Sequence, residues 1–154
     1  MASTKPIIIL IHGAFHRSSC YDKVKQRLEA LSYPVLTIDS RTTNGSSPGL
    51  HHKDDVEEIH EVMLPLMDEG KEIVVVGHSY GGLPTYLCTE GQSIAERAAA
   101  GKKGGVRSVV FLCAFAIPER GSYLNEVNNP SDVSYVQINE VGNLPFSFRL
   151  QPTN

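Results

Sequence analysis

A chain of 154 residues has room for one domain of ordinary size. Its 41% hydrophobic and 20% charged residues give the composition of a soluble globular protein. A net charge of -3 with dispersed basic residues excludes strong attraction to nucleic acid or to an anionic membrane, and Lys102-Lys103, set between glycines, reads as a solvated loop.

In chain order, Ile7 to Ile11 is a continuous apolar, mostly β-branched run, the pattern of a strand buried on both faces. It is too short for a signal-peptide core or a membrane span, so the chain is expected in the cytoplasm. Ser18 or Ser19 caps a helix with Tyr21, Val24, Leu28 and Leu31 at helical spacing. Pro34 to Asp39 is a second strand, and Arg41 to Gly49 is a turn-rich loop. Asp54 or Asp55 starts a second helix with Val56, Ile59, Met63 and Leu66 on one face, and Pro65 should kink or end it. Glu72 to Val76 is a third strand, after which Ser79 opens a helix through Leu83 and Leu87. Gly91 to Gly105 reads as a helix-rich excursion, and Val106 to Phe115 as a fourth strand. This β-α-β-α-β-α-β alternation predicts an α/β fold, a parallel sheet with right-handed crossovers and helices on both faces. Beyond Pro118 the pattern dissolves, and only Val133 to Ile138 has the makings of a strand.

The chemistry concentrates at Val74 to Gly82, "VVVGHSYGG". Gly77-His78-Ser79-Tyr80-Gly81 fits G-x-S-x-G between a β-run and a helix pattern, the context of a nucleophile elbow. Ser79 is the candidate nucleophile, and the glycines leave room where a Cβ would collide. The Tyr80 N–H, at the start of a helix, is a candidate donor to a developing oxyanion. "LIHGAFH", Leu10 to His16, supplies a second loop, with the Ala14 N–H as the other donor. His12 reads as structural, bonding the loop beneath it. Gly13 and His16 stand at the expected substrate pocket, with His16 open between substrate contact and loop packing.

Three cysteines, Cys20, Cys88 and Cys113, are widely spaced, and the two in apolar segments read as buried small hydrophobes in a reducing compartment. No Cys/His spacing suggests a zinc site. His51 and His52, with Asp54 and Asp55, read as a solvated helix start, and no metal is expected. Asp39 is expected to bond loop backbone.

The segments "HGAFHRSSCYDKVKQRLEALSYPVLTIDSR", "LPLM", "VVVGHSYGG" and "VVFLCAFAIP" resemble the α/β-hydrolase superfamily, in the branch of plant methylesterases and hydroxynitrile lyases. The resemblance covers about residues 6 to 124. It implies a mostly parallel sheet with a helical cap, and hydrolysis of small esters without a cofactor by Ser, a late Asp and a later His. It assigns Ser79 as nucleophile and Ala14 and Tyr80 as oxyanion donors. Gly13 favours the esterase side, since the lyases carry threonine there. In such enzymes acid and base follow the serine in the chain. Here the histidines are His12, His16, His51, His52, His60 and His78, and none follows Ser79.

The expectation is therefore a C-terminally truncated hydrolase core over 1–124, lacking the late strands and most of the cap, then an irregular tail or cap start over 125–154. Two functional readings stand. One is a serine esterase lineage with an incomplete triad. The other is a non-catalytic small-molecule-binding protein or inactive hydrolase fragment. The partner is expected to be a small ester or apolar ligand. The apolar fourth strand, left as a sheet edge, would also pair with a second copy.

Overall fold

A computed structural model describes residues 5–43 and 50–114, together with two short strands at Val136–Ile138 and Phe148–Leu150. The element order is β1 (Ile7–Ile11), α1 (Asp22–Ala30), β2 (Val35–Ile38), α2 (His52–Asp68), β3 (Glu72–His78), α3 (Gly82–Cys88), α4 (Ile94–Ala99) and β4 (Gly105–Leu112). β5 (Val136–Ile138) and β6 (Phe148–Leu150) follow. β1 to β4 and the helices lie in one compact unit, and β5 and β6 in another.

The first unit is built on a parallel sheet in the order β2-β1-β3-β4. All five residues of β1 are buried because helices cover both its faces. Side chains alternate along a strand. Ile7, Ile9 and Ile11 therefore enter one cluster with Ile59, Met63 and Met67 of α2 and Cys88 of α3. Ile8 and Leu10 enter the other, with Tyr21 and Leu28. The chain steps from β1 outward to β2, then back past β1 to β3. With right-handed crossovers these opposite steps put α1 and α2 on opposite faces, as the two clusters record. Each fully buried isoleucine contributes about 1.5–3 kcal/mol.

The sheet and its order of elements agree with the sequence, but several local features differ. α1 is preceded by a 3-10 turn over Ser18–Tyr21, and it contacts the sheet at edge strand β2. Only part of its circumference is covered: Tyr21 is buried, whereas Val24 and Leu31 are 46% and 61% exposed. α2 begins at His52, ahead of the expected aspartates, because Asp54 caps backward and accepts the His51 N–H at 2.6 Å. Pro65 does not end α2, which runs on to Asp68. Pro65 is exposed, so the Glu61 carbonyl it deprives of a donor lies toward water, while buried Met63 and Met67 pin the last turns to the sheet.

β3 extends through His78, and Ser79–Gly81 forms a 3-10 turn before α3. The excursion after α3 holds one short helix, α4, with a reciprocal cap between Ser93 and Glu96. Buried Arg97 ties it down by donating to the Lys103 carbonyl, Gln92 and Asp68. β4 closes the described sheet on one side and ends at Leu112; Val110, Phe111 and Leu112 are all partly exposed. Phe115, the expected end of that strand, lies outside the described residues. Cys113 is exposed, contrary to the buried expectation, because it continues the exposed end of β4, where Val110, Phe111 and Leu112 are exposed as well. Cys88 is fully buried as expected.

In the second unit β5 pairs antiparallel with β6. β5 realises the last three residues of the expected Val133–Ile138 strand, while β6 had no counterpart in the pattern. The rest of 125–154 lies outside the described residues. Among the described residues no helix is long and apolar enough to cross a membrane.

Candidate active site

β1 and β3 are neighbours whose onward connections run in opposite directions. That arrangement opens a crevice at their carboxyl ends, where ligands bind in open α/β sheets. Ile11 is in register with Gly77, so the loops leaving both strands emerge side by side.

Ser79 follows the carboxyl end of β3 with φ of 52°, a left-handed conformation costly for a residue with a Cβ. The surroundings hold it there. A Cβ on Gly77 would lie 2.5 Å from Thr85 Oγ1 and 2.6 Å from the Gly81 carbonyl oxygen. One on Gly81 would lie 2.6 Å from the carbonyl oxygens of both Ile11 and His12. The two flanking glycines thus let the turn close against α3 and β1, which forces the serine upward. The G-x-S-x-G spacing has become a strand-turn-helix elbow.

The loop after β1 abuts the serine directly. A Cβ on Gly13 would stand 3.0 Å from Ser79 Cβ and 3.1 Å from His78 Nδ1. A side chain at this position would crowd the nucleophile, which gives Gly13 a physical reason. The loop folds as a turn closed by the His16 N–H on the Gly13 carbonyl at 3.3 Å. Ala14 lies in that turn, and its carbonyl accepts from His16 Nδ1 at 2.9 Å. A carbonyl can only accept, so His16 carries its proton on Nδ1 and keeps a lone pair on Nε2. Its exposed ring meets that of His78 edge to face, centroids 6.0 Å apart. Gly13, His16, His78 and Ser79 therefore share one neighbourhood.

His12 is fully buried, as a structural residue should be. Its Nε2 accepts the Ser40 N–H at 3.1 Å, leaving the proton on Nδ1 to serve the Gly13 carbonyl at 2.8 Å. Asp39 bonds loop backbone, accepting the Ser18 N–H at 2.6 Å and the Ser18 hydroxyl at 3.0 Å. The Ser18 N–H foremost, and then its hydroxyl, hold the Asp39 carboxyl below its ordinary 3.8 against the opposing effect of burial. A carboxyl with a lowered folded value stabilises fully above its unfolded value and loses that contribution as pH falls through the folded one. Wild type should thus melt slightly above Asp39→Asn at neutral pH, and thermal melts should show the gap closing below about pH 4. The gap is small because the Asp39 side chain is 46% exposed. A gap independent of pH would remove the carboxylate from the stability of this loop.

Tyr80 turns its side chain away from Ser79 toward α2. Its hydroxyl donates to Asp55 Oδ2 at 2.7 Å, and burial, aided by that carboxylate, pushes its phenol well above the usual range. Asp55 is 1% exposed and also accepts the Thr42 N–H at 2.9 Å and the Thr42 hydroxyl at 2.7 Å. This buried network was not anticipated: Asp55 read as part of a solvated helix start. His51 and His52 do stand at that helix start. His60 is structural, its Nε2 donating to the Cys88 carbonyl at 2.9 Å. Among the described residues no three potential metal ligands converge.

The sheet, the switch-point crevice and the strained serine define a protein of the α/β-hydrolase class. Residues 8–150 match the Alpha/beta hydrolase family, and the chain belongs to it. The alpha/beta hydrolase nvfD of Aspergillus novofumigatus (strain IBT 16806) is 30% identical over 74% of this chain and 45% of its own length. Methylesterase 2 of Arabidopsis thaliana is 32% identical over 56% of this chain and 34% of its own length, in keeping with the branch the motifs resemble. Polyneuridine aldehyde esterase shares the fold, with a TM-score of 0.61 at 23% identity over 84% of this chain and 50% of its own. The chain thus spans half or less of the length of these relatives.

Proposed function

We propose that Ser79 is the nucleophile of a carboxylic-ester hydrolase, with the N–H groups of Ala14 and Tyr80 as its oxyanion hole. The observation that carries this reading is the left-handed Ser79 pressed against Gly13 at the carboxyl ends of β1 and β3. Strain of that kind persists only where packing over-determines it, and its effect here is to aim one hydroxyl into a crevice. In the reaction, Ser79 Oγ attacks the ester carbonyl and the two N–H groups receive the charge that develops on its oxygen. The alcohol leaves, and water then releases the acid from the acyl-serine.

The proton from Ser79 needs an acceptor. Every histidine of the chain precedes Ser79 or adjoins it, whereas the fold usually draws its base from later in the chain. His16 is the candidate within this sequence, since its Nε2 lone pair is uncommitted by the Ala14 bond. Without a positioned base, an oxyanion hole and binding alone retain roughly 10³–10⁴-fold over water.

A fluorophosphonate probe on the folded chain tests the reading. Wild type should take up one probe, and Ser79→Ala none. A folded wild type that stays unlabelled would favour a small-molecule-binding protein on the same scaffold, and equal labelling of the alanine variant would move the nucleophile elsewhere. Where wild type labels, His16→Ala reports on the base: an undiminished rate excludes His16.

A further inference from the structure

We propose that Asp55 is a positioning residue for the elbow, acting through the Tyr80 hydroxyl; this rests on the reading of Ser79 as nucleophile. The elbow must hold two things at once: a serine at φ of 52°, and the next backbone N–H aimed at the crevice. Packing around Gly77 and Gly81 fixes the turn from below and behind. The peptide that joins Ser79 to Tyr80 is held at its carbonyl, which accepts the Gly82 N–H. The Tyr80 side chain gives it a second hold on the other side, because its far end is anchored.

That anchor is rigid. Asp55 sits within the first turns of α2, a 17-residue helix whose Ile59, Met63 and Met67 are locked in the core. The carboxylate holds three donors: the Tyr80 hydroxyl, the Thr42 hydroxyl and the Thr42 N–H. Thr42 Oγ1 also lies 3.3 Å from the Tyr80 oxygen, but its single proton serves the carboxylate, so Tyr80 depends on Asp55. A buried carboxylate with these partners has one low-energy arrangement, and it transmits the position of α2 to the residue beside the nucleophile. The same carboxylate ties the turn after β2 to the elbow.

The test is a double-mutant cycle of Asp55→Asn and Tyr80→Phe, read by the rate of fluorophosphonate labelling at Ser79 and by thermal melting. Tyr80→Phe keeps the ring and removes only the hydroxyl, so it carries the test if Asp55→Asn fails to fold. Each single variant should label about tenfold more slowly, less than the ~10²–10³ lost with an oxyanion donor itself. The double variant should be no slower than the slower single, because both remove one linkage. Folded variants that label at the wild-type rate, or losses that multiply, would overturn the proposal while leaving Ser79 as nucleophile. If folded wild type does not label, the reading of Ser79 falls, and the linkage is judged on the Tyr80 amide resonance. That signal should shift and broaden in Asp55→Asn; an unchanged signal overturns the linkage.

Discussion

Gly81→Ala should lower the melting temperature by about 6–12 °C and suppress labelling of Ser79. Gly81 has φ of -57°, so backbone freedom is not what it supplies. Helix propensity alone would favour alanine by at most about 1 kcal/mol. The opposing effect is steric and larger. The new methyl would lie 2.6 Å from two carbonyl oxygens, those of Ile11 and His12. These are backbone atoms at the end of a fully buried strand, and they cannot swing aside as a side chain would. Relief requires the turn to withdraw from β1, which separates Ser79 from the Gly13 loop. Overpacking of this kind costs about 3 kcal/mol, and each kcal/mol moves the midpoint by roughly 2–4 °C in a chain of this size. A thermal melt and a labelling rate on one preparation check both halves. A variant that melts and labels like wild type would mean that the elbow and β1 are not in contact.

The elbow was legible because everything that defines it is local. A β-run, two glycines two residues from a serine, and a helix pattern lie within "VVVGHSYGG". The parallel sheet was legible for a similar reason: five apolar, mostly β-branched residues in a row at Ile7–Ile11 suit a short strand covered on both faces. What escaped depends on partners distant in the chain. Asp55 looks like a first-turn helix carboxylate facing water, and only the fold brings Tyr80, 25 residues on, to its oxygen. The available signal was the polar-tipped Tyr80 beside the nucleophile, since a buried phenol needs a partner. Val24 and Leu31 kept perfect helical spacing and are nonetheless exposed, because spacing states which residues share a face and not how far the sheet extends beneath it. Cys113 lies in an apolar stretch, but that stretch is the exposed end of β4, and apolar character alone does not state which end of a strand is covered. The candidate base has the same character: which imidazole nitrogen holds a lone pair at His16 is decided by the Ala14 carbonyl, and residue identity alone does not state it.

His12→Ala should cost more than an ordinary loop substitution, for reasons that join stability to the site. The imidazole has no exposure and joins its own loop, through Nδ1 on Gly13, to Ser40, 28 residues on from His12, through Nε2. Asp39 lies 3.5 Å from Nε2, which would be an ion pair if the ring were protonated. The Ser40 N–H is closer and can only donate, so Nε2 accepts and the ring serves as a neutral bridge. Alanine leaves the Ser40 N–H without its partner, a penalty of about 1–3 kcal/mol, removes the shorter of the two bonds to the Gly13 carbonyl, which keeps the His16 N–H, and adds a cavity. A total of about 4 kcal/mol lowers the midpoint by roughly 8–16 °C. The functional loss comes through Gly13: its carbonyl, held by the ring, belongs to the peptide whose N–H is the proposed Ala14 donor. Loosening it should slow labelling of Ser79 about 10²-fold or more, the scale of one oxyanion donor. His12→Asn separates this role from proton transfer. Its amide can donate to the Gly13 carbonyl from near the Nδ1 position, but it cannot act as a base. Labelling in His12→Asn should therefore recover well above His12→Ala, whereas equal losses in the two variants would make His12 a participant in proton transfer.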